Sequence, residues 1–395
     1  MFSSLLISLF LTKVKYICVY PQKVLPLRQT YAMQNSISLL FRRLRLHIVL
    51  FLCASFSLCG CTSSLLVEAT PQEVFRVFWE TIDRQYANFE EHPVDWDSIY
   101  TRYWHEVCQM QSDADLLPII DTIFTLFEDG HFSLETPDTM LHFSPTDSNY
   151  DIGPFWGVEA ASYPHYSVID MQKYDGISIG VLHPVHNWSA DISREYVYAA
   201  IYSFKNHNMT ASIDSLLPAW RDEEVDGIVL DIRRHHGGLG YVAYALYAHF
   251  ASDDSAPVWQ LYVRDLQGDR TSLKPQSCYS EKKGTIPVTM PVALIIDGGV
   301  YSAGNVFAHG MAVLPNVKVF GKYPTAGGGT SPRYIHLPNG WILSVPTGSK
   351  VYINEKSTEY PCYPDVWVED DSAAFAQSTD LPLSRAVQWL ETFAE

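Results

Sequence analysis

Between residues 65 and 130, apolar side chains recur every three or four positions, a spacing typical of amphipathic helices. The first predicted helix begins at Thr70-Pro71-Gln72-Glu73, where a cap residue is followed by proline at the first helical position and glutamate at the capping-box position. Further helices are predicted at Ile99–Met110 and Leu116–Phe127. We therefore expect a small helical domain whose aromatic residues form its core.

From residue 176 onward, short apolar segments follow one another in an alternating strand and helix pattern. In chain order they are Ile177–Leu182, a helix at Arg194–Asn206, Ile213–Trp220, a strand at Gly227–Ile232, a helix at Gly238–Phe250, strands at Val258–Val263 and Val292–Ile296, a helix at Ser302–Val313 and a strand at Val317–Phe320. Strands that are hydrophobic throughout, such as IVLDI and VALII, indicate a sheet covered on both faces. The pattern predicts an α/β domain.

Two further stretches are rich in turn-forming residues. Residues 136–170 contain much Pro, Ser, Tyr and Asp and are expected to form a loop or a short irregular β segment. Pro338-Asn339-Gly340-Trp341 predicts a hairpin with a type I′ turn, since Asn-Gly supplies the two positive φ angles of that turn.

Charge is distributed unevenly along the chain. The first sixty residues hold seven Lys or Arg and no Asp or Glu, whereas the remainder holds 20 basic against 44 acidic residues. This remainder has a net charge near −24 and no basic stripe. Binding to nucleic acid or to an anionic membrane surface requires the opposite sign, so both partners are excluded.

The segment at residues 42–61, RRLRLHIVLFLCASFSLCGC, has a positive region, a short apolar region and a small-residue site. Its last four residues, Leu58-Cys59-Gly60-Cys61, resemble a bacterial lipobox, which implies cleavage before Cys61 and lipidation of its thiol. A transmembrane anchor is the alternative, but the apolar run is well under the ~20 residues needed to span a bilayer.

A signal peptide of normal length can begin at Met33 and occupy residues 33–60. Residues 1–32 are then interpreted as an extension that begins at a start codon placed too far upstream. The residues that follow Cys61, Thr62-Ser63-Ser64, contain no acidic run. We expect a protein anchored by lipid in the bacterial cell envelope and facing the periplasm.

Cysteine usage indicates neither a disulfide framework nor a CxxC metal site. Beyond Cys61, only Cys108, Cys278 and Cys362 remain, widely spaced and odd in number. We expect these three side chains to serve in packing.

Three separated segments carry residue types suited to nucleophilic catalysis. Residues 292–310 combine a buried strand, a glycine-rich turn and Ser302 at the start of a helix, where backbone N–H groups are free. Residues 127–133 place His131 after a glycine, although a single loop histidine is more often solvated or structural. Residues 226–238 end in Gly237-Gly238, and glycine backbone can approach a ligand closely.

These segments resemble the S41 family of serine peptidases, the tail-specific and tricorn-core type. Its DGH-like turn, LDLRxNxGG segment and SAxE motif occur here in order, and residues 321–328 are similar to its GExTxG segment. Residues 359–366 are similar to ExxGxxPDxxV, so the resemblance covers most of residues 70–370. It implies an α/β fold with a crotonase/ClpP-like β-α spiral core and an N-terminal helical domain. The implied parts are a helical cap at 61–135, a connecting segment at 136–175 and a catalytic domain at 176–395.

The family has two catalytic designs, and the resemblance implies which one applies. One design places a lysine about 25 residues after the serine, but this chain has Ala326, Gly327 and Gly328 there. Lys322 stands where the family usually has glutamate and is interpreted as structural. The other design uses histidine, serine and glutamate from distant segments, which His131, Ser302 and Glu359 fit.

In this design, His131 acts as base and then acid for Ser302, and Glu359 orients its ring. The spacing from Glu359 to Pro364-Asp365 is one residue shorter than usual, so Glu355 is the alternative carboxylate.

The implied oxyanion hole is formed by the N–H of Ala303 together with that of Gly237 or Gly238. His235-His236 and Asn305 depart from the family motifs. Zinc would need three or more ligands, which do not converge by spacing, so we expect no metal and no cofactor. Loop packing or substrate contact is the expected role of both histidines.

The resulting hypothesis is a serine endopeptidase that acts on peptide or protein substrates. The chain has no room for a PDZ domain between His131 and the first core strand, so the helical cap is expected to limit what enters the cleft. Two alternatives remain open: a non-catalytic binding protein on the same fold, and a small acyl hydrolase or esterase with the same machinery.

Overall fold

The computed structural model describes residues 69–144, 166–174, 177–184, 196–205, 207–220, 225–251, 256–287, 289–369 and 380–394. Residues 69–395 form one compact unit. The predicted signal peptide and Cys61 lie outside the described residues. Within the described ranges, no helix is both long and apolar enough to cross a bilayer.

The described residues form seven α-helices, fourteen β-strands and two short 3-10 helices. The α-helices are α1 Pro71–Gln85, α2 Trp96–Val107, α3 Leu117–Phe127, α4 Met209–Trp220, α5 Gly240–Phe250, α6 Ala303–Ala312 and α7 Leu381–Glu391; the 3-10 helices are Asp113–Leu116 and Thr392–Ala394. The strands are β1 Ser133–Glu135, β2 Met140–His142, β3 Tyr166–Tyr174, β4 Ile177–Pro184, β5 Tyr196–Ile201, β6 Gly227–Asp231, β7 Trp259–Arg264, β8 Leu273–Tyr279, β9 Val292–Ile296, β10 Val317–Gly321, β11 Thr330–His336, β12 Ile342–Ile353, β13 Lys356–Ser357 and β14 Val366–Trp367.

The N-terminal helices form as their sequence predicts. Thr70 caps α1 by accepting a hydrogen bond from the N–H of Glu73, and Pro71 occupies the first turn. The aromatic side chains of α1, α2 and α3 are largely buried, and they pack against Trp341 and Leu343 at the start of β12. This region therefore shares its core with a sheet.

The first sheet has the strand order β14-β10-β9-β6-β5-β4-β3. Strands β14 to β5 run parallel, whereas β4 and β3 pair antiparallel at one end. Alternate side chains of the central strands pack against α5 and α6 on one face and against α7 on the other. The mixed α/β architecture with a covered parallel sheet, expected from the sequence, is confirmed.

The second sheet is antiparallel, with the order β2-β1-β12-β7-β8, and β11 and β13 also pair with β12. Its β11–β12 hairpin turns at Pro338-Asn339-Gly340, but the predicted type I′ geometry is wrong, because Gly340 has a φ of +85° and Asn339 does not have a positive φ. Proline fixes φ near −65° at the first turn position, so a type I turn followed by a glycine bulge forms instead.

The helix predicted at Arg194–Asn206 is also wrong. Tyr196–Ile201 forms β5, which is buried along its whole length between β4 and β6. A short apolar run buried on both faces has no periodicity that separates strand from helix. The helix of this region is α4, which includes Ile213–Trp220.

Candidate active site

Ser302 lies at the sharp turn between β9 and α6. Its backbone has φ +56° and ψ −128°, a conformation that non-glycine residues seldom adopt. Hydrogen bonds fix this turn: the N–H of Ser302 donates to Gly327 O and that of Tyr301 donates to His235 O, both at 3.0 Å. The Ser302 hydroxyl caps no helix N–H group, so it remains available to other partners.

His131 reaches Ser302 from the antiparallel sheet. Helix α3 ends at Glu128 with a left-handed residue, and the chain then turns through Asp129 and Gly130. Ser344 of β12 donates a hydrogen bond of 2.8 Å to the carbonyl of His131. His131 Nε2 lies 2.9 Å from Ser302 Oγ, so the structure brings these two predicted residues into hydrogen-bond contact.

The other ring nitrogen of His131 faces a tyrosine and an aspartate. Its Nδ1 lies 3.0 Å from the hydroxyl of Tyr301 and 3.7 Å from Oδ1 of Asp129. Both partners are buried. Each belongs to a segment already selected from the sequence, one residue before Ser302 and two before His131, but neither was predicted to contact the ring.

Asp129 is held by several donors at once. Its Oδ1 accepts the N–H of His131 at 3.0 Å, and its Oδ2 accepts the hydroxyl of Tyr86 and the amide of Asn88 at 3.0 and 3.1 Å. Burial, together with the negative charges of Asp129 and Glu359, raises the pKa of Tyr301 well above its ordinary value. Tyr301 therefore keeps its proton at neutral pH.

Glu359 does not occupy the predicted position behind His131. Its Oε2 accepts a hydrogen bond of 2.9 Å from Thr330, and its Oε1 lies 3.6 Å from Nε2 of His92. Among the described residues, Asp129 is the one carboxylate within 4.0 Å of a His131 nitrogen. The alternative, Glu355, is exposed in the turn after β12 and is not hydrogen-bonded to His131. Glu359 was the carboxylate predicted beside His131, and Asp129 is the one found there. The spacing of the motifs does not determine which carboxylate points toward the imidazole.

His92, Asp129 and Glu359 form a compact acidic cluster beside this site. One ligand atom of each lies within 4.8 Å of the others, a separation that could hold a metal ion. Protein hydrogen bonds already account for both oxygens of Asp129 and for Oε2 of Glu359. Burial lowers the pKa of His92, but its hydrogen bond with Glu359 and the nearby carboxylates outweigh this effect and raise the pKa overall.

The two predicted oxyanion glycines differ in the direction of their N–H groups. Gly237 N–H donates to Nδ1 of His235 at 3.0 Å, so it is already engaged. The N–H groups of Gly238 and Ala303 have no hydrogen-bond acceptor within the described part of the chain. Gly237 still has to be glycine, because its φ is +95° and an added Cβ would lie 2.6 Å from Cβ of Ser302.

Residues 195–368 match the family described as Peptidase family S41, and residues 67–124 match the Tricorn protease C1 domain. Residues 195–368 belong to peptidase family S41. The enzyme class of the protein is therefore serine-type peptidase.

Solved structures show the same fold as this S41 peptidase. A candidate peptidase from Parabacteroides merdae ATCC 43184 is 23% identical with a TM-score of 0.65, over 82% of this chain and 97% of that one. Mature CPAF is 8% identical with a TM-score of 0.53, over 83% and 96% of the two chains. CPAF complexed with lactacystin is 9% identical with a TM-score of 0.52, over 83% and 98%. The comparison with curated proteins gave no match.

His235, which replaces the asparagine of the S41 motif, proves to be a packing residue. Its ring is fully buried and lies 4.2 Å from the ring of Phe204 between centroids. Burial lowers its pKa to about 3, so the imidazole is neutral and its Nδ1 can accept the N–H of Gly237. Of the two roles expected for this residue, the structure supports loop packing. His236, by contrast, is exposed.

Asn305, which replaces the glutamate of SAxE, is also fully buried. Its amide nitrogen donates to the carbonyl of Thr358 at 2.6 Å, and its Oδ1 accepts the N–H of Cys362 at 3.3 Å. A glutamate carboxylate could not donate the first of these bonds. Asn305 thus ties α6 to the segment that carries Glu359. Lys322 lies over the ring of Tyr323, and among the described residues no lysine is hydrogen-bonded to Ser302.

Proposed function

We propose that this S41 peptidase is a serine endopeptidase that hydrolyses peptide bonds through an acyl-enzyme on Ser302. The observation that carries the proposal is the 2.9 Å contact between His131 Nε2 and Ser302 Oγ, made by side chains 171 positions apart. A serine hydroxyl is a weak nucleophile until a neighbouring base removes its proton. The peptide would be cut as follows.

Ser302 Oγ attacks the substrate carbonyl carbon while His131 Nε2 takes the hydroxyl proton. The tetrahedral intermediate collapses, the C–N bond breaks, and His131 returns the proton to the leaving amine. Water then attacks the ester, with His131 again as base, and releases the acid and free Ser302.

Of the two glycines predicted as alternatives, we infer that Gly238, together with Ala303, donates to the developing oxyanion. The N–H groups of Gly238 and Ala303 lack acceptors among the described residues; Ala303 directly follows Ser302, and Gly238 directly follows Gly237, whose backbone lies against Ser302. A donor aimed at this oxygen contributes roughly 3 kcal/mol to transition-state stabilisation.

We further propose that Cys61 carries a lipid and that the enzyme faces the periplasm of a bacterial cell envelope. The support is the lipobox-like sequence and the absence of an acidic run after it. Metabolic labelling with a fatty-acid analogue, compared between wild type and Cys61→Ala, tests the anchor. Labelling that persists in Cys61→Ala would contradict it.

A fluorophosphonate probe tests the catalytic proposal. The Ser302 oxygen attacks phosphorus, fluoride leaves, and a stable phosphonyl-serine remains. We expect wild type to be labelled at Ser302, and both Ser302→Ala and His131→Ala to lose labelling. Ser277→Ala and His142→Ala, exposed residues on β8 and β2, are matched controls that should label normally.

Three results would contradict this assignment. Labelling that survives in His131→Ala would exclude His131 as the base. An inert wild type would favour a non-catalytic binding protein on the same fold. If wild type is labelled but cleaves esters and not a peptide library, the small acyl hydrolase is the correct alternative.

A further inference from the structure

The hydrogen-bond requirement of His131 indicates what must lie behind its ring. To accept the Ser302 proton at Nε2, the neutral imidazole has to carry its own proton on Nδ1. That N–H needs an acceptor, because a buried donor without one costs about 1–3 kcal/mol. The hydroxyl oxygen of Tyr301, at 3.0 Å, is the atom within hydrogen-bond distance.

Tyr301 and the Asp129 carboxylate both lie beside Nδ1 of His131. The Tyr301 oxygen accepts from Nδ1 at 3.0 Å, and Oδ1 of Asp129 lies 3.7 Å from the same nitrogen, so the hydroxyl and the carboxylate face the same edge of the ring. Because Tyr301 retains its proton and the charge of Asp129 acts on it, the neutral hydroxyl can turn its O–H toward the carboxylate while its oxygen accepts from the ring. Asp129 Oδ1 is 3.7 Å from Nδ1, too far for a direct hydrogen bond but close enough to stabilise a positive imidazolium.

Asp129 is also placed to fix the ring in space. The same Oδ1 accepts the backbone N–H of His131, so one carboxylate holds both the backbone and the ring of the base. Tyr86 and Asn88 anchor the opposite oxygen. The carboxylate therefore cannot rotate away without breaking several buried hydrogen bonds.

We propose that Tyr301 and Asp129 are the positioning residues of His131, with the tyrosine hydroxyl bridging the imidazole to the carboxylate, and that Glu359 is not. The proposal rests on the proposed function, since it assigns the support of the same base. The proposed order of interactions is Ser302, His131, Tyr301, Asp129, of which the first two contacts are 2.9 and 3.0 Å long. No proton leaves Tyr301: the hydroxyl only orients Nδ1–H and transmits the stabilisation of Asp129.

Glu359 is more remote from the His131 ring than Asp129 is. Among the described residues, the hydrogen-bonded connection of Glu359 to Asp129 runs through Thr330 and Asn88: the Thr330 hydroxyl contacts Glu359 at 2.9 Å and Asn88 at 2.8 Å. Asn88 in turn donates to Asp129. Loss of the Glu359 charge should therefore affect catalysis less than loss of the Asp129 charge.

The experiment compares four variants by the rate of fluorophosphonate labelling as a function of pH. Tyr301→Phe removes only the hydroxyl, Asp129→Asn removes the charge and keeps an acceptor oxygen, and Glu359→Gln tests the competing carboxylate. Tyr334→Phe is the control, because Tyr334 is 72% exposed on β11. Thermal unfolding of each variant verifies folding.

We expect Asp129→Asn to label roughly 10²-fold more slowly, at the lower end of the contribution of a positioned base. Its labelling profile should also move to lower pH, because the negative charge that favours the imidazolium is gone. Tyr301→Phe should slow labelling by about tenfold or more, and Glu359→Gln by less than either. If Asp129→Asn fails to fold, Tyr301→Phe and Glu359→Gln still decide the order.

Wild-type rates and an unshifted pH profile in Tyr301→Phe and Asp129→Asn would overturn the proposal. So would a larger loss in Glu359→Gln than in either, which would restore Glu359 as the orienting residue. An inert wild type would instead reject the proposed function, and the two failures are distinguishable.

Discussion

At the scale of single residues, the site depends on backbone directions more than on side-chain identity. Ser302 has a left-handed φ, which turns its hydroxyl away from the helix and toward His131. Gly237 and Gly238 have φ values of +95° and +137°, so successive N–H groups point differently. The Gly237 N–H binds His235, whereas the Gly238 N–H has no acceptor among the described residues. The nucleophile and the anion site thus come from strained, well-fixed backbone.

The hydrogen bond from Gly237 N–H to His235 should matter for both stability and labelling. His235→Leu keeps the volume but removes the acceptor of Gly237 N–H, so it should lower the free energy of unfolding by about 1–3 kcal/mol and slow fluorophosphonate labelling. His235→Asn supplies an acceptor oxygen and the residue of the S41 motif, and it should restore most of the labelling rate. Chemical denaturation and labelling kinetics measure both effects.

His236→Leu is the matched control, because its side chain is an exposed neighbour. Equal labelling by wild type, His235→Leu and His235→Asn would show that the His235 ring does not hold the anion site.

At the scale of elements, β12 organises the histidine side of the site. Ser344 of β12 binds the carbonyl of His131, and Leu343 pairs with Leu134 of β1 in the sheet. The same strand holds the loop that follows α1: Lys350 Nζ lies 2.5 Å from Oε2 of Glu91 and 3.4 Å from the carbonyl of Ala87. That loop supplies the donors to Asp129, so β12 supports the base from two directions.

The ion pair between Lys350 and Glu91 should stabilise the loop that holds Asp129. Both side chains are buried, with 0% and 2% exposed. Lys350→Met should leave the carboxylate unpaired, lower the free energy of unfolding by about 3–5 kcal/mol and slow labelling. The double variant with Glu91→Leu should regain stability, since no buried charge remains.

The matched control is Lys283→Met, which breaks a half-exposed pair with Asp214 and should cost about 0–1 kcal/mol. Equal losses in Lys350→Met and Lys283→Met would argue against a supporting role for the buried pair. Urea unfolding of the four proteins measures the comparison.

In the molecule as a whole, each of the two sheets supports a different part of the candidate site. The parallel strands β6 and β9 end at the turns that carry the paired glycines and Ser302, while the antiparallel sheet carries His131. The sequence sufficed for the central parallel strands β6 and β9, because IVLDI and VALII are apolar throughout, and for the N-terminal helices, whose spacing and caps are local signals. Ser302 and His131 could be selected because each stands in a recognisable turn.

Features that depend on distant contacts could not be predicted. The strand character of Tyr196–Ile201 follows from burial between two other strands, which a single window does not reveal. Likewise, Asp129 and Tyr301 are 172 positions apart in sequence, and their meeting at one imidazole is a result of packing. The direction of the Gly237 N–H depends on the side chain two residues earlier. The sequence motifs therefore identified the residues of the site, but not which of them are hydrogen-bonded to one another.

The shifted pKa values of His235 and His92 predict how stability varies with pH. The pKa of His235 is lowered to about 3 in the fold, below the 6.5 of an unfolded histidine. Between these values only the unfolded chain binds the proton, so the free energy of unfolding rises with pH, by up to about 1.4 kcal/mol per pH unit, and reaches a plateau near 6.5. His92 acts in the opposite sense, because its folded pKa is raised. Its contribution is complete below pH 6.5 and is lost as pH rises through the folded pKa.

We therefore expect maximal stability near pH 6.5, measured by urea unfolding from pH 4 to 9. His235→Asn should flatten the acid limb, and His92→Gln should flatten the alkaline limb while keeping a donor to Glu359. His142→Gln, at an exposed position, should leave both limbs in place. An alkaline limb that is unchanged in His92→Gln would show that another group causes it.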